Sequence, residues 1–208
     1  MAFSPQYLSL CKRIAELRRN LLPATFDPLG IYHAEVYDKT RGFVALVHAE
    51  IENYIEDRCL EIANQSVQPW NGQRITNRVI FSLHTVCYTG WSELGGKPEN
   101  LSVPTNQLSV EARLGDALGQ YKKVVGENHG IKEDNLKWLL VPLSIRLKGD
   151  LDENWLTSMS NFGSLRGGIV HQAGKVNNRP NPKDFLIIVW KQLIPGLKQL
   201  DLLLSSLI

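Results

Sequence analysis

Apolar residues recur along most of this chain at intervals of three and four, the spacing of one helix face. Between Tyr7 and Leu22 they fall at Leu8, Cys11, Ile14, Ala15, Leu17 and Leu21. Pro23 and the Phe26-Asp27-Pro28-Leu29-Gly30 stretch end that helix. A long second helix is predicted over about 31–63, strongest through Val44, Leu46, Val47, Ile51, Tyr54, Ile55, Cys59 and Ile62, with a bend at Gly42. A third covers 74–90, with Ile75, Val79, Leu83 and Val86 on one face. Residues 91–105 read as a loop built on Leu94-Gly95-Gly96-Lys97-Pro98. Helices follow over 110–125 and 134–145, separated by a break at 126–130, and Pro142 bends or ends the second.

Asp152 is placed to cap a helix at Glu153, and a second start is expected at Asn161 or Ser164, leading through Arg166 to His171. Asn181-Pro182-Lys183-Asp184 combines a capping side chain, a first-turn proline and an early acid, and so opens the last helix, which Pro195-Gly196 should kink. Alternating strand-like runs are scarce and no internal repeat is present. The expected fold is all-α, a helical bundle with a long mid-chain connection, forming a single domain over 1–208.

Composition fits that fold. The 208 residues are 43% hydrophobic and 21% charged, enough apolar side chain for a full core. A net charge of +2 is too small to argue for nucleic acid by bulk electrostatics, so an RNA-acting protein of this kind needs a local site. Lys12, Arg13, Arg18 and Arg19 cluster, with a solvated helix face as the plain reading. The three cysteines, Cys11, Cys59 and Cys87, lack metal spacing and read as buried free thiols of a reducing compartment. No leader pattern and no long uncharged apolar run is present, so a cytoplasmic protein with no membrane partner is expected.

Candidate chemistry concentrates in Arg166-Gly167-Gly168-Ile169-Val170-His171. This segment joins a permanent cation to the one side chain that titrates near neutral pH. Two adjacent glycines, each costing a helix about 1 kcal/mol relative to alanine, imply close approach by a phosphate backbone, a second chain or a neighbouring helix. RNA carries its own nucleophile, the 2′-hydroxyl. A histidine can move its proton, and an arginine fork can hold two phosphate oxygens as charge builds. Five positions along a helix turn about 140°, so one helix does not aim both side chains at one atom. A frayed helix start, another helix or another subunit must supply the geometry.

The Arg-x4-His element, late in an all-helical chain and before a long final helix, resembles the HEPN superfamily (higher eukaryotes and prokaryotes nucleotide-binding). The Glu52-Asn53-Tyr54-Ile55 stretch of the long helix is similar to the glutamate-bearing core helix of its prokaryotic branch, associated with toxin–antitoxin and phage-defence loci. The resemblance spans roughly 40–65 and 150–205. It implies a HEPN-like bundle with additional mid-chain helices and a metal-independent endoribonuclease that needs no cofactor. It also implies a homodimer in which the Arg and His of both subunits share one cleft, acting on RNA and answering to an antitoxin or other regulatory protein. By the same resemblance Arg166 contacts the scissile phosphate, His171 transfers a proton or contacts phosphate, and Glu52 holds Arg166. The products are a cyclic 2′,3′-phosphate and a 5′-hydroxyl.

The chain departs from that pattern twice. Gly167 stands where the family often has Asn or Asp, and Ala173 stands where some toxin members carry a modifiable tyrosine. A non-catalytic helical module binding a partner protein or a nucleotide is therefore the second reading.

Other residues have plainer explanations. Asn161 and Ser164 can support the substrate beside Arg166, and helix capping explains them equally well. His48 and Glu52, four apart, read as a hydrogen-bonded structural pair rather than metal ligands. Glu50 reads as solvated, His84 as a satisfied core histidine, and His33 and His129 as loop residues without a partner. The five tryptophans read as core or interface residues rather than base-stacking platforms.

Overall fold

The computed structural model describes residues 2–87, 110–171 and 179–208, and the backbone alone of 87 and 167–171. The fold is all-α, with no strand among the described residues. Helix α1 (Pro5–Leu21) starts on the Ser4 side chain, which accepts from the Tyr7 N–H. Its buried face is Tyr7, Leu10, Ile14 and Leu17, whereas Leu8 is exposed. The aromatic Tyr7, not Leu8, takes the first inward position and packs edge-on against Tyr54.

Helix α2 (Ala34–Gln73) is the axis of the fold and touches α1, α3, α4, α5, α7, α8 and α9. At 1.5 Å per residue it spans about 60 Å. It runs ten residues past the predicted end at 63, because Ser66 and Val67 continue its buried stripe and carry it through Pro69. Gly42 lies within it without interrupting it. Arg74, in the left-handed conformation, closes it, so α3 begins later than predicted (Arg78–Cys87) and Ile75 is exposed. Val79, Ile80 and Leu83 form the buried face of α3.

Helix α4 (Val110–Gly126) and α5 (Glu133–Leu140) flank a short loop. Pro142 falls in the 3₁₀ turn Val141–Leu143 that ends this stretch, as a proline without a donor should. A single turn, α6 (Leu147–Asp150), leads to Asp152, which accepts from the Trp155 N–H at 2.8 Å and caps α7 (Glu153–His171).

The last helix opens where predicted, with Asn181 accepting from the Lys183 N–H at 3.0 Å. It consists of α8 (Pro182–Ile187), a π-helical stretch Ile188–Leu193, and α9 (Ile194–Ser205). The expected irregularity at Pro195 takes that π form. The proline has no N–H for the Lys191 carbonyl, and its ring crowds that oxygen, so the preceding turn widens. Trp155 fills the space beside it, donating its indole N–H to the Leu193 carbonyl at 3.0 Å.

One buried polar cluster ties the two ends of the helical array. Asp201 accepts from the Ser4 N–H at 2.8 Å, from Ser4 Oγ at 2.5 Å and from the Tyr54 hydroxyl at 3.0 Å. Arg58 Nε lies 3.3 Å from the same carboxylate, and its other nitrogens reach Glu61 and Ser205. Among the described residues no helix is long and apolar enough to cross a membrane.

Candidate functional site

The inward stripe of α7 is Trp155, Met159 and Phe162. Arg166 is the next residue on that stripe, four positions after Phe162, and it faces α2 where the core gives way to solvent. It is exposed and forms no ion pair among the described residues. Its charge nonetheless acts on two α2 residues, His48 and Glu52. Those residues and Glu56 lie four apart on one face of α2, so the helix presents them to α7 as a row.

His48 is 2% exposed, and no hydrogen bond reaches its Nδ1. Glu52 Oε2 stands 3.6 Å from that nitrogen, too far for the hydrogen-bonded pair the spacing suggested. Burial, with Arg166 adding, pushes the imidazole down to about 4 and keeps it neutral at pH 7. Burial and the neighbouring Glu56 push the Glu52 carboxyl above its ordinary range, while Arg166 and His129 pull the other way. No ion pair closes between Glu52 and Arg166.

The α4–α5 loop completes this corner. Asn128 donates to Glu56 Oε1 at 2.7 Å and to the Gly130 carbonyl at 3.0 Å, and accepts from Asn135 at 3.1 Å. Gly130 has no room for a side chain, since a β-carbon would lie 2.8 Å from Asn135 Oδ1. On the other side the Glu133 N–H donates to Ser160 Oγ at 3.0 Å, and Gly163 lets Lys132 pack against α7. His129 is exposed between these anchors.

The sequence-predicted residues divide accordingly. Glu52 and Arg166 share one corner. Arg166 lies near the end of α7, not at a frayed start, and the helical backbone continues through Gly167 to His171. The His171 side chain and Ala173 lie outside the described residues. Asn161 and Ser164 are exposed mid-helix positions, not caps, because α7 runs uninterrupted from Asp152. The Ser164 hydroxyl donates to the Ser160 carbonyl at 2.9 Å.

Glu50 is not simply solvated, since it accepts from Arg13 Nε at 2.9 Å. Of the thiols, Cys59 is buried and pushed up to about 12 by that burial, and Cys11 is half-buried. Trp155 is core, whereas Trp138 is exposed. The sequence reading passed over Asn128 and set His129 aside as a loop residue without a partner. The available signal was a short polar run, Glu127-Asn128-His129, bounded by two glycines between helices.

Among the described residues the corner offers a cation without an ion pair, Arg166, a desolvated carboxylate, Glu52, and an exposed imidazole, His129. That set can hold an anionic group and exchange protons with it. Among the described residues no group of His, Cys, Asp and Glu is arranged to hold a metal ion. Comparison with protein-family models, with curated proteins and with solved structures returns no match.

Proposed function

We propose that this chain is a metal-independent endoribonuclease of HEPN type, acting as a homodimer and serving as a toxin or phage-defence effector under a regulatory protein. The observation that carries this reading is Arg166. It is an exposed arginine with no ion pair among the described residues, at the end of an inward helix stripe, acting on Glu52 and on the same helix as His171. The buried Arg58 is committed to Glu61, Asp201 and the Ser205 hydroxyl, whereas Arg166 has no such partner among the described residues.

Arg166 contacts the scissile phosphate and offsets its growing charge, with the Glu52 carboxylate acting on it through its charge alone. His171 acts from the partner subunit across a shared cleft, which answers the 140° between the two positions on one helix. The 2′-hydroxyl attacks the adjacent phosphorus, leaving a cyclic 2′,3′-phosphate and a 5′-hydroxyl.

The test is incubation of purified protein with a mixed pool of single-stranded oligoribonucleotides in excess EDTA. Cleavage to those two termini is expected, with Arg166→Ala and His171→Ala slower by about 100-fold or more. RNA that survives, or variants that cut as well as the parent, defeat the reading. Solution mass tests the dimer. A non-catalytic module binding a partner protein or a nucleotide is the second reading, favoured by Gly167 in place of the polar residue expected after the arginine. Intact RNA together with nucleotide-induced thermal stabilisation would select it.

A further inference from the structure

A cavity separate from the Arg166 corner lies where the first turns of α7 meet the last helix. Its volume is about 280 Å³, just under the roughly 300–1,000 Å³ of pockets that take drug-sized ligands. Arg166 is not among its lining residues and lies about 12 Å further along α7 than Ser158, which is. The π-helical stretch Ile188–Leu193 borders the cavity, and such widened turns within helices frequently mark functional sites. The floor is apolar and closely packed. The Trp155 indole is fixed by its bond to the Leu193 carbonyl at 3.0 Å and lies on Gly196, with Pro195 beside it.

The rim carries two opposite charges, Asp152 at the start of α7 and Lys191 in the π stretch. No ion pair joins them, and the Lys191 ammonium has no partner among the described residues. Asp152 Oδ1 accepts from the Trp155 N–H at 2.8 Å, whereas Oδ2 has no hydrogen bond among the described residues. The amide side chains of Asn154, Gln192 and Gln199 line the same cavity and have none either. Ser158 Oγ donates to the Asn154 carbonyl at 2.8 Å and can still accept.

This lining selects by charge and by size. A simple anion or cation would leave one of the two charges unanswered as it displaced water from them. A nucleotide would bring its phosphate charges to a site that already holds a carboxylate. A small zwitterion answers both charges, and three amides can meet its remaining donors and acceptors.

We propose that this cavity binds a free α-amino acid with an uncharged side chain, a function separate from any cleavage at Arg166. Asp152 Oδ2 accepts from the ligand's ammonium, and Lys191 donates to its carboxylate. Gln192 and Gln199 hydrogen-bond the same two groups, and the ligand's side chain lies along Pro195 and the edge of Trp155. Binding is noncovalent.

The test is calorimetric titration of the full chain with each uncharged L-amino acid at millimolar concentration. The N-acetyl and carboxamide derivatives of the tightest binder, each lacking one charge, are titrated beside it. The parent is expected to bind at least one free amino acid and to bind either derivative about 10-fold more weakly or worse. Asp152→Asn keeps a capping oxygen for α7 and removes the charge, so it should bind the free and N-acetyl forms alike. Lys191→Met should bind the free acid and its carboxamide alike. A parent that binds no free amino acid overturns the proposal. Binding in which both variants discriminate as the parent does also overturns it, because the ligand then sits elsewhere. Neither outcome depends on RNA cleavage.

Discussion

Nδ1 of His48 lies 3.6 Å from Oε2 of Glu52, and no hydrogen bond joins them. The imidazole is therefore buried without compensation for a charge, and burial holds it neutral down to about pH 4 against an ordinary value of 6.5. Between those values the unfolded chain binds a proton that the folded chain refuses. Stability from this group is full above about 6.5 and is lost as the pH falls towards 4. Glu52, raised in the folded state, runs the opposite way and gains stability on acidification. The urea midpoint of the parent should fall between pH 7 and 4.5, and that of His48→Gln should fall less. Identical slopes in the two proteins would contradict the assignment.

Arg166 acts electrostatically on both of these groups, and in each case it lowers the pKa. Arg166→Ala should raise the titration midpoints of His48 and of Glu52 together, measured by NMR on the labelled side chains. As an exposed residue with no ion pair among the described residues, it should change stability by no more than about 0.5 kcal/mol. If neither midpoint moved, Arg166 would not be facing this row of α2 in solution.

Gly196 lies against the indole of Trp155 so closely that a β-carbon there would stand 2.1 Å from Cδ1. Gly196→Ala should therefore cost about 1–3 kcal/mol through overpacking, despite the better helix propensity of alanine. Chemical denaturation measures it. In a Trp155→Leu background the same substitution should cost much less, and a cost that stayed unchanged would place the strain elsewhere.

Asp201→Ala removes the acceptor for Ser4 and Tyr54 and leaves the guanidinium of Arg58, only 4% exposed, without its buried partner. A loss of about 3–5 kcal/mol is expected for breaking such a pair. Asp201→Asn, which keeps an acceptor for the Tyr54 hydroxyl, should cost less. Equal thermal shifts in the two variants would show that the charge, and not the hydrogen bonds, carries the effect.

The helices were legible wherever local chemistry decides them. Asp152 and Asn181 announced their helix starts because a capping side chain acts within three residues, and Pro142 announced an end because it lacks a donor. The far end of α2 was not legible. The predicted helix stopped at 63, whereas the buried Ser66 and Val67 carry its inward face onward to Gln73.

The corner itself was half legible. Arg166 and Glu52 stood out by residue type and position. His129 did not, because what gives it neighbours is Asn128 reaching Glu56 across 72 positions of chain, a contact that no spacing encodes. Leu8 and Tyr7 show the same limit in miniature, since both fit a helical period and only the Tyr54 ring opposite chooses between them.

The bonds from Ser4 to Asp201 have a consequence for how the protein comes apart. Helix ends ordinarily fray, and the amides of first and last helices exchange with solvent ahead of the rest. Here the start of α1 and the body of α9 hold each other through one carboxylate, so neither can peel away alone. Amide hydrogens in α1 and α9 should therefore exchange with one common opening free energy, as a single cooperative unit assembled from opposite ends of the sequence.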